Sequence, residues 1–126
     1  TDERVRIMGI DTPESRTSDE VEKVFGKSAK ARLTSLLGET CVLKTQINKD
    51  GEDMKGKFGR ILGDFDVYDA DKDAWRPVTD MLVEEGHAVA YFGSKEEVQA
   101  KHMVNRAKLI REGLVDMTPE QAGIIT

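Results

Sequence analysis

Apolar and polar positions along the chain switch between two periods, and the switches mark out a mixed fold. Residues 5–10, Val-Arg-Ile-Met-Gly-Ile, form a short β-compatible run in which Arg6 points to one face while Val5 and Ile7 point to the other. Pro13 cannot donate to a sheet ladder, so the strand is expected to end near Asp11. After a polar stretch over 15–20, Phe25, Ala29, Leu33 and Leu36 recur at helical spacing, with Thr17 and Glu20 spaced as a capping box and Gly38 as a stop. Residues 41–47 alternate as a strand, 48–56 read as a polar loop, and 61–68 read as the next strand. A hairpin-like acidic stretch follows, then a short helix over 78–85 ended by Gly86, then a brief apolar run over 87–92. Ser94 and Glu97 repeat the capping-box pattern and open a helix to about residue 110, with Ala100, Met103, Ala107 and Ile110 on one face and Gly113 behind it. Residues 117–126 show no clear period, and no internal repeat or low-complexity tract appears.

Composition narrows this picture to one ordinary domain. The 126 residues are 38% hydrophobic and 34% charged, with no transmembrane run and no secretory leader in the sequence, and the compartment stays open. One cysteine, Cys41, gives no internal disulfide framework; within Cys41-Val42-Leu43 it reads as a small buried core residue. The formal charge of −5 argues against a protein that holds nucleic acid by bulk electrostatics. Most of that charge is local, because Asp64, Asp66, Asp69, Asp71, Asp73 and Asp80 face only Lys72 and Arg76 within the same segment. The rest is nearly balanced and leaves room for a cationic cleft.

Two constellations carry possible chemistry. Asp11-Thr12-Pro13-Glu14 closes the first strand, and Lys57-Phe58-Gly59-Arg60 precedes a later one. A phosphodiester under attack by water gathers negative charge, which fixed cations can meet while a base takes the water's proton. Arg6 and Arg60 could supply the cations, since guanidinium engages two oxygens at once and does not titrate. Glu14 could serve the water, and Asp11 with the carbonyl of Thr12 offers hard oxygens to a cation such as calcium. Such residues at turns are more often simply solvated, and composition alone leaves that bland alternative standing. The second constellation, Asp69-x-Asp71-x-Asp73 with Asp80, imitates a calcium loop, but Ala74 stands where the turn needs glycine, Asp80 is too short, and a strand precedes it. A solvated hairpin loop is the expected reading. His87 and His102 are isolated and read as surface or packing residues, Trp75 as hairpin packing, and Lys101, Arg106, Lys108 and Arg111 as a solvated charged face.

Taken together, Val5-Arg6-Ile7-Met8-Gly9-Ile10-Asp11-Thr12-Pro13-Glu14, Phe25-Gly26-x-x-Ala29, Lys57-Phe58-Gly59-Arg60 and Leu82-Val83-x-x-Gly86-x-Ala88 leading to Tyr91 resemble the staphylococcal nuclease (thermonuclease) family, in the same order and through about Glu112. The resemblance implies a mainly β fold with α, an OB-type β-barrel carrying about three packed helices, with a domain over 1–116 and a tail over 117–126. It implies a calcium-dependent phosphodiesterase that cleaves DNA and RNA, single-stranded or unpaired by preference, at the bond to the 5′ oxygen and leaves 3′-phosphate ends. By position, Asp11 matches the family's metal-binding aspartate, Thr12 its carbonyl ligand, Arg6 and Arg60 its phosphate-binding arginines, and Glu14 its proposed general base. Tyr91 falls near an aromatic residue that packs on the bound nucleotide, and stacking of that kind tolerates any base.

Members of the family also carry an amino-terminal hairpin with an Asp-Gly-Asp-Thr-like sequence whose second aspartate is a further metal ligand. That hairpin is absent ahead of Arg4, where Asp2 is the one aspartate. The expectation is therefore a fragment with barrel strands missing, a weakened cation site and an activity left open, or a chain whose missing strand comes from a partner or a second copy. The alternative class is a non-catalytic OB-type module that binds nucleic acid or protein.

Overall fold

The computed structural model describes residues 5–38, 40–45, 61–90 and 93–124. Its longest strand, β4 (Ile61–Asp69), organises the sheet. Alternate positions Ile61, Gly63, Val67 and Asp69 are buried, the period of two expected of a strand with one covered face. Three shorter strands pair with it. β1 (Val5–Ile7) runs parallel to its first residues, while β3 (Val42–Thr45) and β5 (Ala74–Pro77) run antiparallel. Gly63 is opposed by both Ile7 and Thr45, and Asp66 by both Val42 and Pro77, so β3 occupies one edge of β4 and β1 and β5 share the other. A side chain at 63 would meet the backbone oxygen of Lys44 at 2.6 Å, which is why glycine stands there. A separate two-stranded ladder joins β2 (Ile10–Asp11) to β6 (Val89–Ala90). No closed barrel forms among the described residues.

Among the described residues, two helices pack on β4 and a third packs on β6. The carboxylate of Asp19 caps α1 (Glu20–Leu37), accepting from the amides of Val21 and Glu22 at 3.0 Å each, and Gly38 ends it at φ 51°. The expected capping box is thus displaced: Thr17 instead accepts from the amide of Asp19. Helix α2 (Val78–Glu85) ends in left-handed Gly86, and Ser94 caps α3 (Lys95–Arg111) by accepting from the amide of Glu97. Helix α1 bridges two apolar clusters. Its first turns put Phe25 against Leu109, Val115 and Ala122, while its last turns bring Leu33, Leu36 and Leu37 to Val67, Val78 and Met81. Ala122 is wholly buried, so the stretch without periodicity still supplies core. None of the described helices is long and apolar enough to cross a membrane.

Several sequence expectations are corrected. The run over 5–10 is not one strand, because Gly9 at φ 82° turns the chain from β4 toward β6. Cys41 is exposed, since β3 is an edge strand among the described residues and Val42 and Leu43 beside it are exposed too. The acidic stretch does fold as a hairpin, with β5 as a return strand that its few apolar residues concealed. Helix α3 buries Leu109 and leaves Ala100 exposed. Its basic residues are not merely solvated: Arg106 donates to the carbonyl of Ala122 and stacks 5.1 Å from the centroid of Phe25, and Lys108 donates to the carbonyl of Glu84. The expected loop at 48–56 lies outside the described residues.

Candidate functional site

Strand β1 exposes Arg6 and half-buries Val5 and Ile7, as alternation requires. Beyond it the amide of Met8 donates to the carbonyl of Gly63, Gly9 turns, and β2 delivers Asp11 opposite Val89. Thr12 to Ser15 then cross α1 at Gly26. A Cβ at position 26 would lie 2.3 Å from the carbonyl oxygen of Glu14 and 2.7 Å from the amide nitrogen of Ser15. Only a residue without a side chain lets the two backbones approach so closely. Flanked by buried Phe25 and Ala29, Gly26 sets the height of the Glu14 peptide over the helix.

These elements enclose a cleft of about 370 Å³ lined by Arg6, Asp11, Thr12 and Glu14, with Lys30 of α1 on its wall and Leu33 and Leu82 at its base. Arg6, Thr12, Glu14 and Lys30 are exposed. Among the described residues, the side chains of Arg6 and Glu14 have no hydrogen-bonded or ionic partner. Four of the residues named from sequence thus share one cavity. Arg60 and Tyr91 lie outside the described residues, although Ile61, which follows Arg60, is paired with Val5.

Two residues near this cleft escaped the sequence reading. Lys30 lies one turn beyond Gly26, the spacing that puts two helical residues on one face, and that offset was the available signal. His102 gave no local signal at all. Its Nε2 lies 2.6 Å from Oδ2 of Asp11, a partner 91 positions away that only the docking of α3 brings near. The histidine side chain is 12% exposed and that of Asp11 39%, so the pair runs from the interior to the cleft.

The oxygen donors on the cleft are the hard type that calcium or magnesium takes. They are few: no three of His, Cys, Asp and Glu gather to hold a metal among the described residues, and one oxygen of Asp11 already meets His102. The donor set fits a hard cation in kind and supplies few of the oxygens such a cation takes.

The acidic hairpin is occupied by its own bonds. Oδ1 of Asp69 accepts from the amide of Asp71 at 3.0 Å, and its Oδ2 accepts from Arg76 at 3.0 Å. Arg76 also reaches Glu84 at 2.8 Å, and the hydroxyl of Tyr68 donates to Asp73. The Arg76 guanidinium holds the carboxyls of Asp69 and Glu84 below their ordinary range, while Asp73 pushes the Tyr68 hydroxyl up. Trp75 stands edge-on to Tyr68 at 5.9 Å, a cross-strand pair of the hairpin. His87 is buried with Nδ1 unpartnered, and burial pushes its imidazole below the ordinary value.

Residues 4–116 match the family model described as staphylococcal nuclease homologue. No curated protein gives a significant match.

Proposed function

The chain belongs to the staphylococcal nuclease homologue family, and from that membership we propose that the cleft beside β1 binds nucleic acid and hydrolyses its phosphodiesters. The observation that carries this reading is the meeting of Arg6, Asp11, Thr12 and Glu14 around one cavity, with Arg6 and Glu14 unpaired among the described residues. A guanidinium with free donors is suited to two phosphoryl oxygens at once. Lys30 adds a second positive charge to the same wall.

In this reading Glu14 takes a proton from a water as its oxygen bonds to phosphorus, and the bond to the 5′ oxygen breaks. The leaving oxygen takes up a proton, and the other product keeps a 3′-phosphate. Arg6 meets the charge that grows on the phosphoryl oxygens, an interaction stronger in the transition state than in the ground state. Arg60 is proposed as the second guanidinium and Tyr91 as a stacking platform for an unpaired base. Asp11, through the oxygen not engaged by His102, and the Thr12 carbonyl would hold calcium, which supplies further positive charge to the phosphate. An OB-type barrel is proposed for the sheet. Exposed Val42 and Leu43 on β3 support it, because apolar residues on a strand that is an edge among the described residues offer a place for a further strand.

One observation favours the second reading, a binding module without catalysis: Asp11 is a single carboxylate with one oxygen already taken. A cleavage assay on a single-stranded DNA oligonucleotide, with calcium or with a chelator, separates the two. Calcium-dependent products with 3′-phosphate ends, lost in Glu14→Gln, support hydrolysis. Binding without products in either condition sinks it in favour of the module.

A further inference from the structure

We propose that His102 is a positioning residue for Asp11, holding one carboxylate oxygen from behind so that the other faces the cleft. The inference rests on the reading of Asp11 as a cation-binding group. Its geometry, however, stands on its own. Nε2 of His102 and Oδ2 of Asp11 are 2.6 Å apart, a short hydrogen bond in which the ring N–H donates to the carboxylate.

The cavities on the two sides of this bond differ in kind. Asp11 lines the cleft of about 370 Å³ together with Arg6, Thr12 and Glu14, and His102 is not among the residues that line it. His102 instead borders a far smaller space, about 30 Å³, with Pro13, Phe25, Arg106 and Leu109. The imidazole is therefore part of the packed layer between α1 and α3. It touches Asp11 and not the space a substrate would fill. That separation makes it a positioning residue and not a catalytic one.

Backbone geometry alone holds Asp11 weakly. Strand β2 has two residues and a ladder of two paired positions, with left-handed Gly9 before it and Pro13 shortly after. Backbone pairing of this kind places the Cα of Asp11 and leaves its χ1 free to be set by what the side chain meets. A bond to a helix of 17 residues, itself anchored by buried Leu109, removes that freedom. The bond also biases which oxygen is left: Oδ2 commits one lone pair to His102, so Oδ1 keeps both of its own for a cation in the cleft. A hydrogen-bond partner that orients a ligating group in this way typically contributes about 10-fold to 100-fold in metal affinity or activity.

The test uses the 126-residue chain and two variants. His102→Leu removes the donor while keeping an apolar side chain in the packed layer. His102→Gln keeps an amide donor at nearly the same reach. Calcium alone is titrated into each protein, cleavage of single-stranded DNA is measured as separate kcat and KM, and the rotamer of Asp11 is read from its β-methylene couplings by NMR. In His102→Leu we expect Asp11 to average over rotamers, calcium affinity and kcat to fall about 10-fold to 100-fold, and KM for DNA to stay near wild type. His102→Gln recovers most of each. A single Asp11 rotamer in His102→Leu, or equal losses in the two variants, overturns the proposal. If the unaltered chain neither binds calcium nor cleaves, the hydrolytic reading fails, and the Asp11 couplings alone then uphold or overturn the positioning role.

Discussion

Two regions of the molecule set an arginine among carboxylates, and they use it in opposite ways. On the β4–β5 hairpin, Arg76 is 16% exposed at its side chain and bonded to both Asp69 and Glu84. Asp69 takes a further bond from the backbone amide of Asp71, and Asp73 accepts from Tyr68, so Asp69, Asp73, Arg76 and Glu84 all have internal partners. In the cleft, Arg6 and Glu14 are exposed beside a cavity, and neither has a partner among the described residues. The first arrangement spends its guanidinium on holding a turn. The second leaves exposed donors and acceptors beside a cavity, where a charged ligand can displace the water on them. A count of carboxylates alone would favour the hairpin, yet its failed calcium-loop pattern already marks it in the sequence as a solvated turn. The bonding state of each group decides the matter.

The sharpest way to break this contrast is to remove each arginine in turn. Arg6→Ala should reduce cleavage of single-stranded DNA about 100-fold to 1,000-fold, the usual effect of losing one preorganised donor, with the thermal midpoint unchanged. Arg76→Ala should do the reverse, lowering the midpoint while leaving the rate per folded molecule intact. A rate loss shared equally by the two variants would show that the hairpin is part of the site.

Gly26→Ala probes how the cleft is built without touching a charge. The added methyl would fall 2.3 Å from the carbonyl oxygen of Glu14, and the obstacle is backbone that cannot rotate away. The loop of 12–15 must lift from α1, at a cost of about 1–3 kcal/mol typical of overpacking. Both the midpoint and the cleavage rate should fall, and Ala31→Gly, an exposed position on the same helix, should lower only the midpoint. Unaltered cleavage in Gly26→Ala would mean that the height of the Glu14 peptide does not matter.

How far these features could be read beforehand follows from the range of the interactions behind them. Helices α1, α2 and α3 were legible because periodicity and stop glycines are local, and Gly38 and Gly86 end their helices as expected, whereas the cap of α1 is Asp19 and not Thr17. Asp11 and Glu14 were legible as a pair because they flank one turn. The break at Gly9 was missed, because a glycine in an apolar run does not announce a positive φ. Exposed Cys41 was misread because its apolar neighbours say nothing about lying at an edge. His102 could not be found at all, since its partner is set by tertiary docking.

Acid separates the two regions on a smaller scale. Arg76 holds Asp69 below its ordinary value of 3.8 and Glu84 below 4.5, chiefly by hydrogen bonding. Groups with lowered folded values stabilise the fold above their ordinary values, and that contribution is lost as pH falls through the folded ones. In wild type, stability should therefore decline below about pH 4.5, more steeply than in Arg76→Ala, where the largest cause of the lowering is gone. Denaturant melts between pH 5 and pH 3 measure the two slopes. Equal slopes would mean that solvent already screens the exposed Glu84 pair.

The smallest effect tests whether an unpartnered group must be functional. His87 resembles Arg6 in lacking a partner at Nδ1, yet it is 4% exposed. Burial is the main cause that pushes its imidazole below 6.5, with Arg32 and Lys108 acting in the same direction and Glu85 and Glu112 against it. The unfolded chain therefore takes the proton first. Stability from this residue is complete above pH 6.5 and falls as pH drops from there toward the lower folded value. His87→Leu should remove that decline between pH 7 and pH 5, measured by denaturant melts against wild type. Its cleavage rate per folded molecule at pH 7 should equal wild type, because the imidazole borders none of the cleft. A rate loss at unchanged stability would place His87 with Arg6 and not with the packed interior, and the rule that separates them would then have to be access to the cleft by motion and not exposure at rest.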